Sequence, residues 1–215
     1  MVGSGAILHN GTLGINRSNT LTIAAVISGL GNLEQLGSGT TIITGTNTFQ
    51  GRVTVNAGIL EIQNNAALGI DATKVTNRWA NLTSVNAGGT LISTNDVILE
   101  YAGKGLGKLV LNGGTFIVGP AATKWLMVGY YDTGAGELDI TDGNLLLENG
   151  TSIKMCRSGN TGGNVINQSG GNVTFYSDTG LTTGGGNLDL NYAGGSSSMN
   201  TYNLNGGTLT VPRII

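Results

Sequence analysis

The chain has 215 residues, enough for one or two ordinary domains or for one solenoid segment. Only 10% of its residues are charged and the net charge is −2, which excludes the basic patches expected of a protein that binds nucleic acid or anionic membranes. No run approaches the roughly 18 apolar residues of a membrane-spanning helix, so we expect no membrane insertion of this segment. The 38 glycines lie at regular places between short apolar strands, a pattern that predicts order rather than disorder.

Short strands with period-two alternation fill the first hundred residues. Examples are residues 20–23, 53–55, 60–62 and 90–92. Alternation of polar and apolar residues is typical of strands with one buried face. Helical periodicity is nearly absent, so the predicted class is all-β.

Residues 29–62 carry a denser pattern, GLGNLEQLGSGTTIITGTNTFQGRVTVNAGILEI. Its main marks are Gly39, Gly45, Gly51 and the strands VTV and LEI. The pattern resembles the autotransporter-associated β-strand repeat of bacterial autotransporter passengers. Two departures are present: Leu36 precedes Gly37 where the family usually has a lysine, and Arg52-Val53 replaces a Gly-Thr pair.

Four ten-residue segments of the second half can be aligned with one another. They are residues 109–118, 138–147, 166–175 and 202–211. Each has an apolar strand, a turn centred on glycine and a second apolar strand. The alignment predicts two inward ladders, Leu109/Leu138/Ile166/Tyr202 and Phe116/Leu145/Val173/Leu209. Self-similar units with this period predict a stacked solenoid rather than a globular core.

The spacing of these segments predicts the domain organisation. The glycine turns are separated by similar intervals except for the last, which is longer and implies an insertion near 176–187. We predict one solenoid over 1–215, with autotransporter-repeat-like coils in 1–100 and Gly-Gly-turn repeats in 101–215. The second half looks like Gly-Gly repeats of large bacterial surface proteins. The two resemblances imply a right-handed parallel β-helix with about three short strands per coil, exported to the cell surface or beyond.

Gln168 interrupts one of the predicted apolar positions. It falls where Leu111, Ile140 and Leu204 lie in the other three segments. A glutamine at such a position is either partly exposed or hydrogen-bonded to the backbone of a neighbouring coil, and we favour the second interpretation.

Candidate catalytic groups are few. His9 is the single histidine, and no second histidine or cysteine is placed to join it at a metal site. In the strand pattern Asp139 points outward and Asp142 lies in the turn, so the two acids are candidates for a close pair. The next aligned copies have Asn or Gly at these positions, so no acidic array forms. We therefore predict no catalysis, no metal and no cofactor.

One constellation is a candidate contact site. Tyr130, Arg157 and Tyr192 follow the short strand that precedes each aligned segment, and they occupy the same corner in successive units. With coils in register, the arginine would lie between two tyrosine rings. A stabilising cation–π stack is the simpler interpretation, and a sugar-binding strip is the functional alternative.

These features predict a non-catalytic structural or adhesive segment of a bacterial surface or secreted protein. Expected partners are other copies of the chain, end to end as a filament or laterally, or surface glycans and other cells. The first ten residues do not resemble a secretory signal and residues 211–215 resemble a new strand, which favours an internal piece of a longer protein or a filament protomer. A β-helix carbohydrate-binding module or polysaccharide-degrading enzyme is the alternative, since fold alone does not decide function.

Overall fold

The computed structural model describes residues 5–63, 82–99, 107–129, 135–155, 163–176, 186–191 and 199–215. These residues form strands joined by turns, with no helix among them. Consequently, this part of the chain contains no helix long and apolar enough to cross a membrane. The predicted all-β class is confirmed.

Twenty short strands make up the described part. In chain order they are β1 (Ile7–Leu8), β2 (Thr12–Ile15), β3 (Leu21–Ile23), β4 (Ile27–Ser28), β5 (Asn32–Gln35), β6 (Thr40–Ile43), β7 (Val53–Val55), β8 (Gly58–Ile62), β9 (Leu82–Asn86), β10 (Gly89–Ser93), β11 (Val97–Leu99), β12 (Gly107–Val118), β13 (Trp125–Val128), β14 (Gly136–Leu147), β15 (Ser152–Met155), β16 (Val165–Gln168), β17 (Asn172–Phe175), β18 (Leu188–Asp189), β19 (Thr201–Leu204) and β20 (Thr208–Thr210).

The strands stack in columns along one axis, and every described pairing between them is parallel. Column 1 contains β2, β5, β7, β9, the first half of β12, the first half of β14, β16 and β19. Column 2 contains β3, β6, β8, β10, the second halves of β12 and β14, β17 and β20. Column 3 contains β11, β13, β15 and β18, and β1 pairs with β4 in a separate sheet.

This arrangement confirms the predicted parallel β-helix with about three strands per coil. Each strand pairs with the equivalent strand of the next coil. The separation along the chain is 20 residues in the pair Leu13↔Leu33 and 36 residues in the pair Ile166↔Tyr202. Such a ladder satisfies the backbone N–H and C=O groups between coils rather than within one. The sheets curl around the core without closing on one another.

Both predicted apolar ladders are present. Leu109, Leu138, Ile166 and Tyr202 are in direct register, as are Phe116, Leu145, Val173 and Leu209. The inward residues join one continuous hydrophobic cluster that extends along the chain from Ile15 to Leu188. Alternate residues of each strand point outward and are half-buried or exposed, which is the period-two pattern that the sequence shows.

The glycine turns act differently in different coils. In β12 and β14 the chain passes from column 1 to column 2 as one twelve-residue strand with register irregularities at the bend. Gly143 has φ +94° at this bend, and a Cβ there would collide with the carbonyl oxygen of Gly114 in the preceding coil. In the next two coils the same turn separates β16 from β17 and β19 from β20. Glycine is required at this position because its φ is positive and the backbone of the preceding coil lies too close for a side chain.

The predicted insertion near 176–187 lies largely outside the described residues, at 177–185. The proposed division of the solenoid near residue 100 stays a prediction.

Phe116 offers a test of the inward ladder. It is fully buried and lies between Leu91 and Leu145 in the stack. We expect Phe116→Ala to lower the free energy of unfolding by about 3–5 kcal/mol, because the change removes apolar contacts and leaves a cavity. Its neighbour Ile117 points outward and is half-buried, so Ile117→Ala should cost about 1 kcal/mol or less. Urea denaturation followed by circular dichroism measures both; equal losses would contradict the inward assignment.

Candidate binding surface

The predicted corner residues Tyr130, Arg157 and Tyr192 lie outside the described residues. Their stack therefore stays a prediction, both as a stabilising feature and as a sugar-binding strip.

Column 3 contains a cation–π contact that the sequence analysis missed. Lys154 on β15 places its Nζ 4.1 Å from the centre of the Trp125 ring on β13. The indole also packs on Ile98 and Met127, which are outward on their strands yet only 4% and 2% exposed. The two strands adjoin the predicted corner, since β13 ends two residues before Tyr130 and β15 two before Arg157. A sequence signal existed: the tryptophan and the lysine lie in strands that pair with each other, but two positions out of register, since Lys154 pairs with Met127.

The strongest charge cluster lies on the outer face of column 1. Lys108 Nζ donates to Glu137 Oε1 at 2.7 Å and also forms an ion pair with Asp139. Asp139 points outward as predicted. Asp142 accepts a hydrogen bond from the backbone N–H of Gly143 at 2.7 Å. The acids therefore bind one lysine of the preceding coil and a turn, and they do not face each other across a cleft.

Within this cluster, Lys108 and Asp139 shift each other's pKa. Partial burial by itself raises the pKa of Asp139, but hydrogen bonds from Lys108 and Asn167 and the lysine charge outweigh it, so the pKa is lowered. Burial likewise acts to lower the pKa of Lys108, and the hydrogen bonds and charges of Asp139 and Glu137 outweigh it, so that pKa is raised. Both groups are therefore charged near neutral pH.

Beyond Asp139 the same outward row continues as a chain of amides. Asn203 Nδ2 donates to Asn167 Oδ1 at 2.8 Å, and Asn167 Nδ2 donates to Asp139 Oδ1 at 2.9 Å. The register aligns these three residues directly, as the sequence predicts. The two coils after Asp139 thus carry neutral asparagines that hydrogen-bond along the stack, and no acidic array forms in this row.

Gln168 is hydrogen-bonded to a neighbouring coil and is not partly exposed. It is fully buried, and its Nε2 donates to the carbonyl oxygen of Thr208 in the next coil at 3.0 Å and, at 3.3 Å, to that of Gly171. Its Oε1 accepts a hydrogen bond from the Tyr202 hydroxyl. Burial raises the pKa of Tyr202, so the phenol keeps its proton for this bond. The prediction that this glutamine bonds a neighbouring coil's backbone is confirmed.

A second buried glutamine was not singled out from the sequence. Gln35 occupies the equivalent place at the end of β5 and is 1% exposed. Its Nε2 donates to the carbonyl oxygens of Gly37 and Gly39 at 3.0 and 3.1 Å, and Thr41 donates to its Oε1 at 2.7 Å. Both glutamines therefore donate to backbone carbonyl oxygens at the corner between columns 1 and 2. Two of these oxygens, on Gly39 and Gly171, also accept a backbone N–H of the next coil.

His9 is placed for packing. Its ring is tilted against Phe49 with centroids 6.1 Å apart, and both ring nitrogens are buried without a hydrogen-bond partner. Within the described ranges, no group of three or more His, Cys, Asp or Glu residues could hold a metal ion.

These contacts define a repeat protein. It is a parallel β-helix whose coils are joined by ladders of apolar residues inside and by hydrogen-bonded amides outside. The family described as passenger-associated-transport-repeat matches residues 33–62, which contain β6, β7 and β8 and nearly all of β5. The chain therefore carries an autotransporter passenger repeat, and the resemblance that the sequence analysis drew for this stretch is confirmed.

A curated relative extends the similarity to most of the chain. The chain is 30% identical over 188 residues to the adhesin BmaC autotransporter of Brucella suis biovar 1 (strain 1330). The match covers 86% of this chain and 5% of that protein, so the chain spans about one twentieth of the relative's length. No solved structure matches the chain.

The Gln168–Tyr202 pair can be tested by a double-mutant cycle. We expect Gln168→Leu to lower the free energy of unfolding by about 1–3 kcal/mol, because the Thr208 carbonyl oxygen and the half-buried Tyr202 hydroxyl lose the hydrogen bonds of this glutamine. Tyr202→Phe should cost less, and the double variant should cost less than the sum of the single changes. Urea denaturation gives the three values; strict additivity would contradict a direct bond.

The ion pair predicts a pH dependence in acid. Because the folded pKa of Asp139 is below its ordinary value of 3.8, its contribution to stability is complete above pH 3.8 and is lost as the pH falls through the folded pKa. We expect Asp139→Asn to be less stable than the natural chain at neutral pH, by less than about 1 kcal/mol since the pair is partly exposed. The difference should vanish in strong acid. Thermal melts across this pH range measure it; a constant difference at all pH values would contradict the ion pair's role.

Proposed function

We propose that the chain is a non-catalytic, adhesive segment of an exported bacterial surface protein, in which the β-helix serves as a stiff spacer and as the contact surface. The observation that carries the proposal is the 30% identity to an autotransporter adhesin, which extends over 86% of the chain and therefore over nearly all of its coils. The passenger repeat at 33–62 supports the location outside the cell, because such repeats belong to the exported part of autotransporters.

The proposed mechanism is mechanical. Each coil contacts mainly its two neighbours, through backbone hydrogen bonds and side-chain ladders that repeat along the axis. A pull along the axis loads many equivalent bonds between coils. The rod can therefore hold a contact surface away from the cell while resisting deformation.

The arrangement of acids supports a non-catalytic role. Glu137 and Asp139 are engaged by Lys108, and Asp142 is bound to a turn. A glycosidase would instead place one carboxyl group as a proton donor and a second one across the sugar from it. Surface glycans and other cells are the proposed partners, and copies of the chain stacked end to end are a further one.

Adhesion can be measured with the chain attached to beads. We expect beads coated with the folded chain to be retained under flow on bacterial cells, mammalian cells or glycan-coated glass about tenfold more than beads coated with the heat-unfolded chain, because many copies act together. Albumin-coated beads serve as the control for non-specific retention.

Two outcomes would overturn the proposal. One is retention no greater than that of albumin on every surface. The other is shortening of acidic or neutral polysaccharides by the chain in solution, measured as new reducing ends, which would favour the enzyme alternative.

A further inference from the structure

One outer face of the β-helix is uncharged over five consecutive coils. We call it the neutral stripe. It consists of the outward residues of column 2 in β10, β12, β14, β17 and β20, which are Thr90, Ile92, Thr115, Ile117, Asn144, Leu146, Asn172, Thr174, Thr208 and Thr210. All of them are half-buried or exposed. Glu61 in the preceding coil and Glu148 just after β14 bound the stripe.

The stripe has two parallel rows of different chemistry. One row, through Thr115 and Asn144, presents hydroxyl and amide groups. The other row places Ile92, Ile117 and Leu146 directly above one another, followed by the threonines of the last two coils. Neighbouring strands are about 4.8 Å apart and alternate residues along a strand about 6.6 Å apart, so the rows form a flat, regular grid.

The other two columns differ sharply over the same coils. Column 1 presents Lys108, Glu137 and Asp139, and column 3 presents Lys154 and Asp189. Among the described strands of these coils, those of columns 1 and 3 carry charged outward residues and those of column 2 carry none. Contiguous apolar groups on an outer face, such as the aliphatic row, mark interaction sites more often than scattered ones do.

The size of the stripe indicates what kind of partner fits. Five strands span roughly 20 Å and two rows about 10 Å, which gives an area of a few hundred Å² at most. A stable protein pair needs roughly 800 Å² on each partner, so one stripe is too small to hold a second copy. A flat surface requires no complementary shape from the partner, so all five coils of the stripe contact it at once and their small contributions add. Charged polymers do not match an uncharged grid, and stacking on sugar rings would need aromatic side chains, which the stripe lacks.

We infer that the neutral stripe is the adhesive face of this segment and that it binds extended, uncharged, apolar surfaces, with the aliphatic row excluding water and the polar row bonding scattered surface oxygens. The inference rests on the proposed adhesive function and assigns it a face and a partner class.

The test is adsorption to alkyl monolayers followed by a quartz microbalance. The natural chain should be retained on a methyl-terminated monolayer after rinsing, and much less on a hydroxyl-terminated one. Ile117→Lys should lower the retained amount about tenfold, the effect of replacing one aliphatic contact with a hydrated charge. Val110→Lys is the matched control, because Val110 is also β-branched, half-buried and outward in β12, but lies in column 1 and therefore outside the neutral stripe. It should change retention less than about twofold on the same scale.

A second variant and three contrary outcomes complete the test of the neutral stripe as the adhesive face. Leu146→Lys should repeat the effect of Ile117→Lys, and circular dichroism confirms that each variant is folded. Equal losses for Ile117→Lys and Val110→Lys, or equal retention on both monolayers, would overturn the inference. So would a dimer in sedimentation that Ile117→Lys abolishes, which would make the stripe a contact between copies. If the natural chain is not retained on alkyl monolayers while beads coated with it still adhere to cells, the assignment of the neutral stripe is wrong and the adhesive function stands.

Discussion

Strict parallel register between consecutive coils is the constraint on which the rest of this structure depends. Because each strand satisfies its backbone groups with the equivalent strand of the next coil, every coil must repeat the path of the one below it. The inward residues then fall into vertical rows, and the shape of the core follows from the stacking. Insertions are accommodated only in the loops between strands, where the backbone does not have to pair with the next coil.

The corner between columns 1 and 2 shows how the chain meets this constraint. Neighbouring coils come so close there that a side chain on Gly143 or Gly58 would collide with a carbonyl oxygen of an adjacent coil. The turn also leaves carbonyl groups pointing inward, and in two coils a buried glutamine donates hydrogen bonds to them. Gln35 and Gln168 are therefore a recurring solution to the same local problem, although they lie in halves of the chain with different repeats.

The outer surface follows from the same stacking. Outward side chains are held at one spacing, so like charges in successive coils would repel at close range. The chain instead uses amides that bond one another, as in the row from Asn203 to Asp139, and places a lysine opposite its acids. From β10 to β20, charge is thereby concentrated at a few positions on columns 1 and 3. This leaves column 2 as a flat neutral grid, which connects the architecture to the proposed adhesive role.

The sequence alone determined the class of fold, both inward ladders and the passenger repeat, because a repeated period-two pattern with glycine turns has few other solutions. It also placed Asp139 outward and paired Gln168 with a neighbouring coil, since alignment of the copies reproduces the register. Only the tertiary structure decided which outward residues share a face, that Lys108 holds both acids, and that Trp125 lies under Lys154. These depend on the position of each corner and on side chains that meet diagonally between coils, and a linear pattern does not encode either one.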